Sequence, residues 1–273
     1  TSFIYFVIHT RLTAAEESFF DYRLLKNRNY VTGLLFVFVV GIVLFSVRAL
    51  APTMLQNLMH YPAAMAGLVT APSGVGTLIA MVVVGRLIGK VDFRMLLLFG
   101  FSITAISLWQ MSGYTLVLSQ SDIVWPGVVQ GIGLGLVFVP LSTATFATVS
   151  ASMRAQGTAI YSLIRNIGSS IGIALVQALL VRNTQIMHVS LAEKINYANP
   201  AFQDAAIASA YGPGNSAGLA ALNVEVSSQA AMIGYTNDFR LMMILVLMVI
   251  PLLLLVQSPK SRAPAPIEHI AAE

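Results

Sequence analysis

Apolar residues in this chain come in long unbroken runs, and polar residues collect in the gaps between them. Six runs are long enough to cross a bilayer as helices, since about 20 residues rising 1.5 Å each cover a core about 30 Å thick. They are placed at Val31–Leu55, Ala64–Val84, Met95–Leu116, Val124–Ala144, Thr158–Val181 and Asn237–Val256. The period-two alternation that marks a membrane β-barrel is not seen. The pattern therefore predicts an all-α integral membrane protein. A shorter apolar run, Thr1–His9, would rise only about 14 Å as helix. It has no starting Met, basic flank or small-residue cleavage site, so it does not read as a signal peptide. Residues 1–9 read instead as the end of a truncated transmembrane helix, and the chain is expected to be the back part of a larger membrane protein.

Composition agrees: 57% of residues are hydrophobic and 10% are charged, against about 25% charged in soluble domains. The formal charge of +4 raises the question of nucleic acid, but its distribution answers otherwise. Arg11, Arg23, Lys26, Arg28, Arg86, Lys90, Arg94, Arg154, Lys260 and Arg262 fall on one side of the predicted spans. Arg182, Lys194 and Arg240 fall on the other. The excess of cations in short loops makes the first side cytoplasmic and puts the C-terminus inside. Trp109 and Trp125 then sit together at the outer interface, where an aromatic belt belongs. The chain has no cysteine, which excludes disulfides and thiolate chemistry.

The gaps define the organisation. Residues 10–29 mix charges with Phe19, Phe20, Leu24 and Leu25 and predict an amphipathic linker along the inner interface. Residues 30–257 form a six-helix bundle, and 258–273 a cytoplasmic tail. Within the bundle, 183–236 is a long outer loop, read as two exposed helical pieces around the Tyr211-Gly-Pro-Gly-Asn215 breaker. It is either a docking surface for an external partner or a tolerated insertion.

Candidate chemistry lies in three places. The inner loop Gly85–Arg94 reads GRLIGKVDFR: Gly85 and Gly89 are spaced for close helix approach, while Arg86, Lys90, Asp92 and Arg94 are charged. Asp92 and Arg94 suit a latch between helix ends, and an ordinary cation-rich loop would look the same. The fourth span carries Gln130, three glycines at 131, 133 and 135, and Pro140. Gly131, Gly133 and Gly135 predict close helix packing, Pro140 frees a backbone carbonyl, and Gln130 points to a wet cavity or another helix. The fifth span sets Ser162, Arg165, Asn166 and Ser169 on one face, beside the Gly168–Gly172 seam. An arginine inside a span must snorkel, pair or meet water, and Arg48 in the first span poses the same question. No Asp, Glu or His lies centrally in any predicted span, with Asp122 and Asp238 placed near the outer boundary. Neither phosphate-loop, zinc-protease nor serine-hydrolase motifs occur, so an enzyme is not expected.

Taken in order, several stretches resemble one family. They are DYRLLKNRNY, APTMLQNLMHYPAAMAGLVTAPSGVG, GRLIGKVDFRMLL, VWPGVVQGIGLGLVFVPLSTAT, RAQGTAIYSLIRNIGSSIGIAL, HVSLAEKINYANP and SQAAMIGYTNDFRLMM. Together they are similar to the C-terminal part of an EmrB/QacA-type drug:proton antiporter, a fourteen-span branch of the major facilitator superfamily. The resemblance implies a C-terminal six-helix bundle whose first and fourth helices, those of Arg48 and Gln130, line a substrate cavity, with Ser162, Arg165, Asn166 and Ser169 as further candidates. It implies that GRLIGKVDFR is the counterpart of a gating motif, with Gly89 standing where an Asp is usual. It also implies an inner-membrane exporter of small hydrophobic drugs driven by a proton gradient, with no cofactor, no metal and no nucleic acid. Its partners would be the lipid bilayer, a missing N-terminal half and, outside, a periplasmic adaptor with an outer-membrane channel. A non-transporting membrane scaffold on the same bundle is the competing expectation.

Overall fold

The computed structural model describes residues 22–195, 200, 207, 211 and 216–255. The predicted truncated helix (1–9), most of the linker, the Gly212–Asn215 breaker and the tail lie outside these residues. Among the described residues, six helices are long and apolar enough to cross a membrane.

A short helix α1 (Tyr22–Lys26) stops at Asn27, which caps α2 (Arg28–Asn57). The Asn27 carboxamide oxygen accepts from the Asn29 and Tyr30 amides, satisfying two N–H groups that a helix start leaves open. The same side chain exchanges hydrogen bonds with Thr148, and Tyr30 donates its phenol to the Gly157 carbonyl at 2.7 Å. The start of α2 is thereby tied to the far connection between the fourth and fifth spans. The predicted second span is two helices, α3 (Ala63–Thr70) and α4 (Pro72–Leu87). Pro72 lacks an N–H and restarts the helix at its first position. The Gly74 amide bonds Ala71 instead of Thr70, and the freed Thr70 carbonyl takes the Ser73 hydroxyl at 2.7 Å.

Helix α5 (Phe93–Met111) ends five residues before the predicted boundary at Leu116. There Gly113 closes a tighter turn onto Gln110 and the Ser112 hydroxyl takes the Trp109 carbonyl. Helix α6 (Gln120–Phe146) starts earlier than predicted because Ser119 and Asp122 form a reciprocal capping box. After a 3₁₀ turn (Ala151–Met153) comes α7 (Arg154–Ala192), and then α8 (Ser216–Val249), which tightens into 3₁₀ over Ile250–Leu255. The flanks of the outer loop are helical, as unbroken continuations of α7 and α8, joined across by a 3.1 Å contact between His188 Nε2 and Asn223 Oδ1.

Glycines decide how the helices sit. On α6, a Cβ at Gly131 would strike the Ser73 carbonyl, and one at Gly135 would come within 2.6 Å of Ala80 on α4. Gly133, on the opposite flank, abuts Thr104 of α5. Helix α6 is therefore wedged between α4 and α5. A second seam joins α2 to α7, with Gly168 against the Phe38 carbonyl, Gly172 against Ile42, and Gly41 against the Arg165 carbonyl. Small residues let backbones touch where lipid offers no hydrophobic drive for association. Helix α8 packs on α7, α5 and α2 and closes the bundle. The helices pass alternately between two ends: a basic end holding Arg86, Lys90, Arg94 and Arg154, and a tryptophan end where Trp109 and Trp125 both lie exposed.

Candidate functional site

At the tryptophan end four of the spans line a half-open cavity of about 340 Å³. Its walls come from α2 (Val47, Arg48, Ala51, Pro52), the α3–α4 break (Val69, Thr70, Ala71, Ser73), the end of α5 (Met111, Tyr114) and α6 (Ile123, Gly127, Gln130). The residues on either side of the proline break, Thr70, Ala71 and Ser73, face it. Gly131 seats α6 on Ser73 just beside it.

Its polar groups are few. Gln130 is only 6% exposed, and its Nε2 has no hydrogen-bond partner. An orphaned amide donor in an apolar wall costs about 1–3 kcal/mol, and this one is not used by any group of the described residues. Arg48 is exposed and is the one charged residue among those lining the cavity. Tyr114 adds a buried phenol whose oxygen also lacks a partner. Burial, and after it the nearby Asp122 charge, pushes that phenol well above its ordinary range, so it remains a neutral donor. The cavity combines an apolar surface, one cation and two unused donors.

The six candidate cavity residues divide. Arg48 and Gln130 meet in this cavity. Ser162, Arg165, Asn166 and Ser169 share one face of α7, as their spacing predicts, but none of them lines it. Ser169 donates to its own helix at the Asn166 carbonyl, 2.8 Å away, and Asn166 is exposed. Arg165 lies against α6, its guanidinium carbon 5.8 Å from the centre of the Phe138 ring. Its Nε is buried without a hydrogen-bond partner. A cation over an aromatic face is stabilised by the ring's quadrupole, by about 0.5–2 kcal/mol according to exposure. The aromatic contact is a third role, beyond the snorkelling and cavity roles expected.

The loop from Gly85 to Arg94 lies at the basic end. Nothing approaches within 4 Å of a Cβ placed at Gly85 or Gly89, so the close helix approach expected from their spacing is not made among the described residues. Gly89 serves the turn itself, with φ of +87°, a region that side chains disfavour. Asp92 caps α5, its carboxylate accepting the Arg94 amide at 3.0 Å. Arg86 and Lys90 are exposed.

One residue set aside by the sequence reading stands out. Asp238 on α8 is 1% exposed, and neither carboxylate oxygen has a hydrogen-bond partner. The apolar run around it gave its approximate depth. Its burial depends on how α8 packs on its neighbours, which periodicity alone does not give.

Six membrane-length helices, four of them lining an apolar cavity with a few convergent polar groups, make the build of a multi-pass membrane protein. The chain belongs to the Major Facilitator Superfamily, whose family model matches residues 6–173. It is similar to the fatty acid resistance protein FarB of Neisseria gonorrhoeae, 27% identical over 88% of this chain and 47% of that protein. It is also similar to the multidrug export protein EmrB of Haemophilus influenzae, at 28% over 80% of this chain and 43% of the relative. A third relative, the probable multidrug resistance protein EmrY of Escherichia coli, is 27% identical over 84% and 45%. The chain thus spans a little under half the length of these relatives.

Proposed function

We propose that this chain forms one bundle of a proton-coupled multidrug efflux transporter that exports hydrophobic or amphipathic compounds by alternating access. The observation that carries the reading is the cavity where Arg48 and Gln130, from two helices, face one apolar space. A second bundle, in keeping with the greater length of the relatives, would supply the opposite wall and rock against this one. Among the described lining residues the cation Arg48 has no carboxylate opposite it, which favours an anionic head group on an apolar tail. The name of the fatty acid resistance relative fits that chemistry.

The basic end is the cytoplasmic end by the distribution of Lys and Arg, and the C-terminus lies on that side. The Gly85–Arg94 loop is then the inner gate. The paired extensions of α7 and α8 face outward, where they suit docking by a periplasmic adaptor that leads to an outer-membrane channel.

The test is reconstitution of the full-length protein in proteoliposomes under an imposed pH gradient, with a fluorescent fatty acid and a cationic dye as probes. Gradient-dependent export is expected, stronger for the fatty acid. Folded protein that moves neither probe would overturn the reading and favour a membrane scaffold.

A further inference from the structure

We propose that Asp238 is a proton-binding site within this bundle, neutral while α8 is packed against α2 and α7 and ionised when that seam opens. The placement of α8 carries the argument. Gly234, one turn before Asp238, abuts Thr184 and Leu180 of α7. Tyr235, three residues before it, lies beside Asn57 at the end of α2. Both neighbours are buried, as are Phe239 and Met242 beyond them. On a helix turning about 100° per residue, Asp238 projects between Gly234 and Tyr235, into the seam where α2, α7 and α8 meet.

A carboxylate that is sealed there has lost its water and gained nothing in return. Neither oxygen accepts a hydrogen bond. The titratable group beside it is Tyr235, and Tyr114 stacks edge-on against the adjacent Phe239 at 5.9 Å. Toward this end α2 carries Arg48 and α7 carries Arg182, both exposed and neither bonded to Asp238. The cation of α5, Arg94, is at the other end of the molecule, and Arg240 on α8 points outward. A buried charge without donors or a counter-ion takes a proton rather than remain ionised. Release then needs water: the carboxyl O–H bond breaks heterolytically, the electron pair stays on the carboxylate, and the proton passes to a water molecule. Water reaches the group only if α8 separates from α7 or α2. Protonation is in this way linked to one packing of the bundle, as a ligand is linked to the state that it binds.

Full-length protein in liposomes, with isotope-labelled aspartate, tests this by infrared spectroscopy. A neutral carboxylic acid band that belongs to labelled aspartate is expected at near-neutral pH and should vanish in Asp238→Asn. The transport readout rests on the proposed function: Asp238→Asn should keep substrate counterflow and lose gradient-driven accumulation by about tenfold or more. If wild-type protein lacks the band, or Asp238→Asn keeps it or accumulates substrate like wild type, the proposal is overturned. Should Asp238→Asn not fold, Asp238→Glu decides, because the labelled-aspartate band disappears there if the proposal holds and persists if it does not. Absence of gradient-driven transport by wild-type protein would remove the transporter reading, and the infrared band alone would then decide the proton site.

Discussion

Arg48 and Arg165 are both arginines in apolar helices, yet their surroundings give them different roles. Arg48 faces the cavity, so Arg48→Gln is expected to lower export of an anionic amphiphile by about tenfold, the value of a lost charge-assisted contact of about 1.5 kcal/mol. Export of a cationic dye should be unchanged or improved, and paired efflux assays at matched expression check this. Arg165 packs on Phe138, so Arg165→Lys should retain much of the stability that Arg165→Gln loses, about 1 kcal/mol. Thermal unfolding in detergent measures the difference. Gln130→Leu removes an orphaned donor and should leave stability within about 1 kcal/mol of wild type, while reducing affinity for ligands that carry an acceptor. The sequence exposed Arg48, Gln130 and Arg165 because polar groups in apolar runs are conspicuous. It did not reveal that Arg165 meets an aromatic ring or that Asp238 is sealed, because both depend on which helix lies opposite.

At the scale of elements, the apolar runs located all six spans, and their edges moved where local chemistry intervened. Ser119 and Asp122 started α6 early, Gly113 ended α5 early, and Pro72 split the second span in two. The glycines of α6 and α7 sit where the spacing predicts contacts, whereas Gly85 and Gly89 do not. Spacing fixes a shared face but not whether a neighbour occupies it. Gly131→Leu would drive a side chain into the Ser73 backbone beside the cavity, so overpacking of about 1–3 kcal/mol or more and a distorted site are expected. The same change at Gly85, which has open space, should be tolerated. Comparing the yields of folded protein by size-exclusion chromatography checks the contrast. Asp92→Ala should cost about 1 kcal/mol through loss of the α5 cap, quite apart from any effect on gating.

For the whole molecule, two ends with opposite chemistry set an orientation, and the chain's lack of cysteine makes it measurable. Single substitutions Lys90→Cys and Thr115→Cys lie at the basic and tryptophan ends respectively. A membrane-impermeant thiol reagent added to intact cells is expected to label the second and spare the first. The reverse pattern would invert the proposed topology. Architecture was legible at this scale because lipid allows so few solutions for a chain with six apolar runs. In the long outer segment the helical flanks were legible, but Ala-rich polar sequence does not say whether such a helix is a separate piece or a continuation of its span.

Helix α8 is a continuation of its span, and that has a mechanical consequence. From Asp238 back to Ser216, α8 is unbroken and free of proline, a span of about 33 Å. A shaft with no joint acts as a lever, and a tilt of roughly 10° at its base would sweep its tip through about 6 Å over that length. An event confined to one carboxyl group inside the bilayer would thus be magnified into a displacement large enough for another protein to feel outside it.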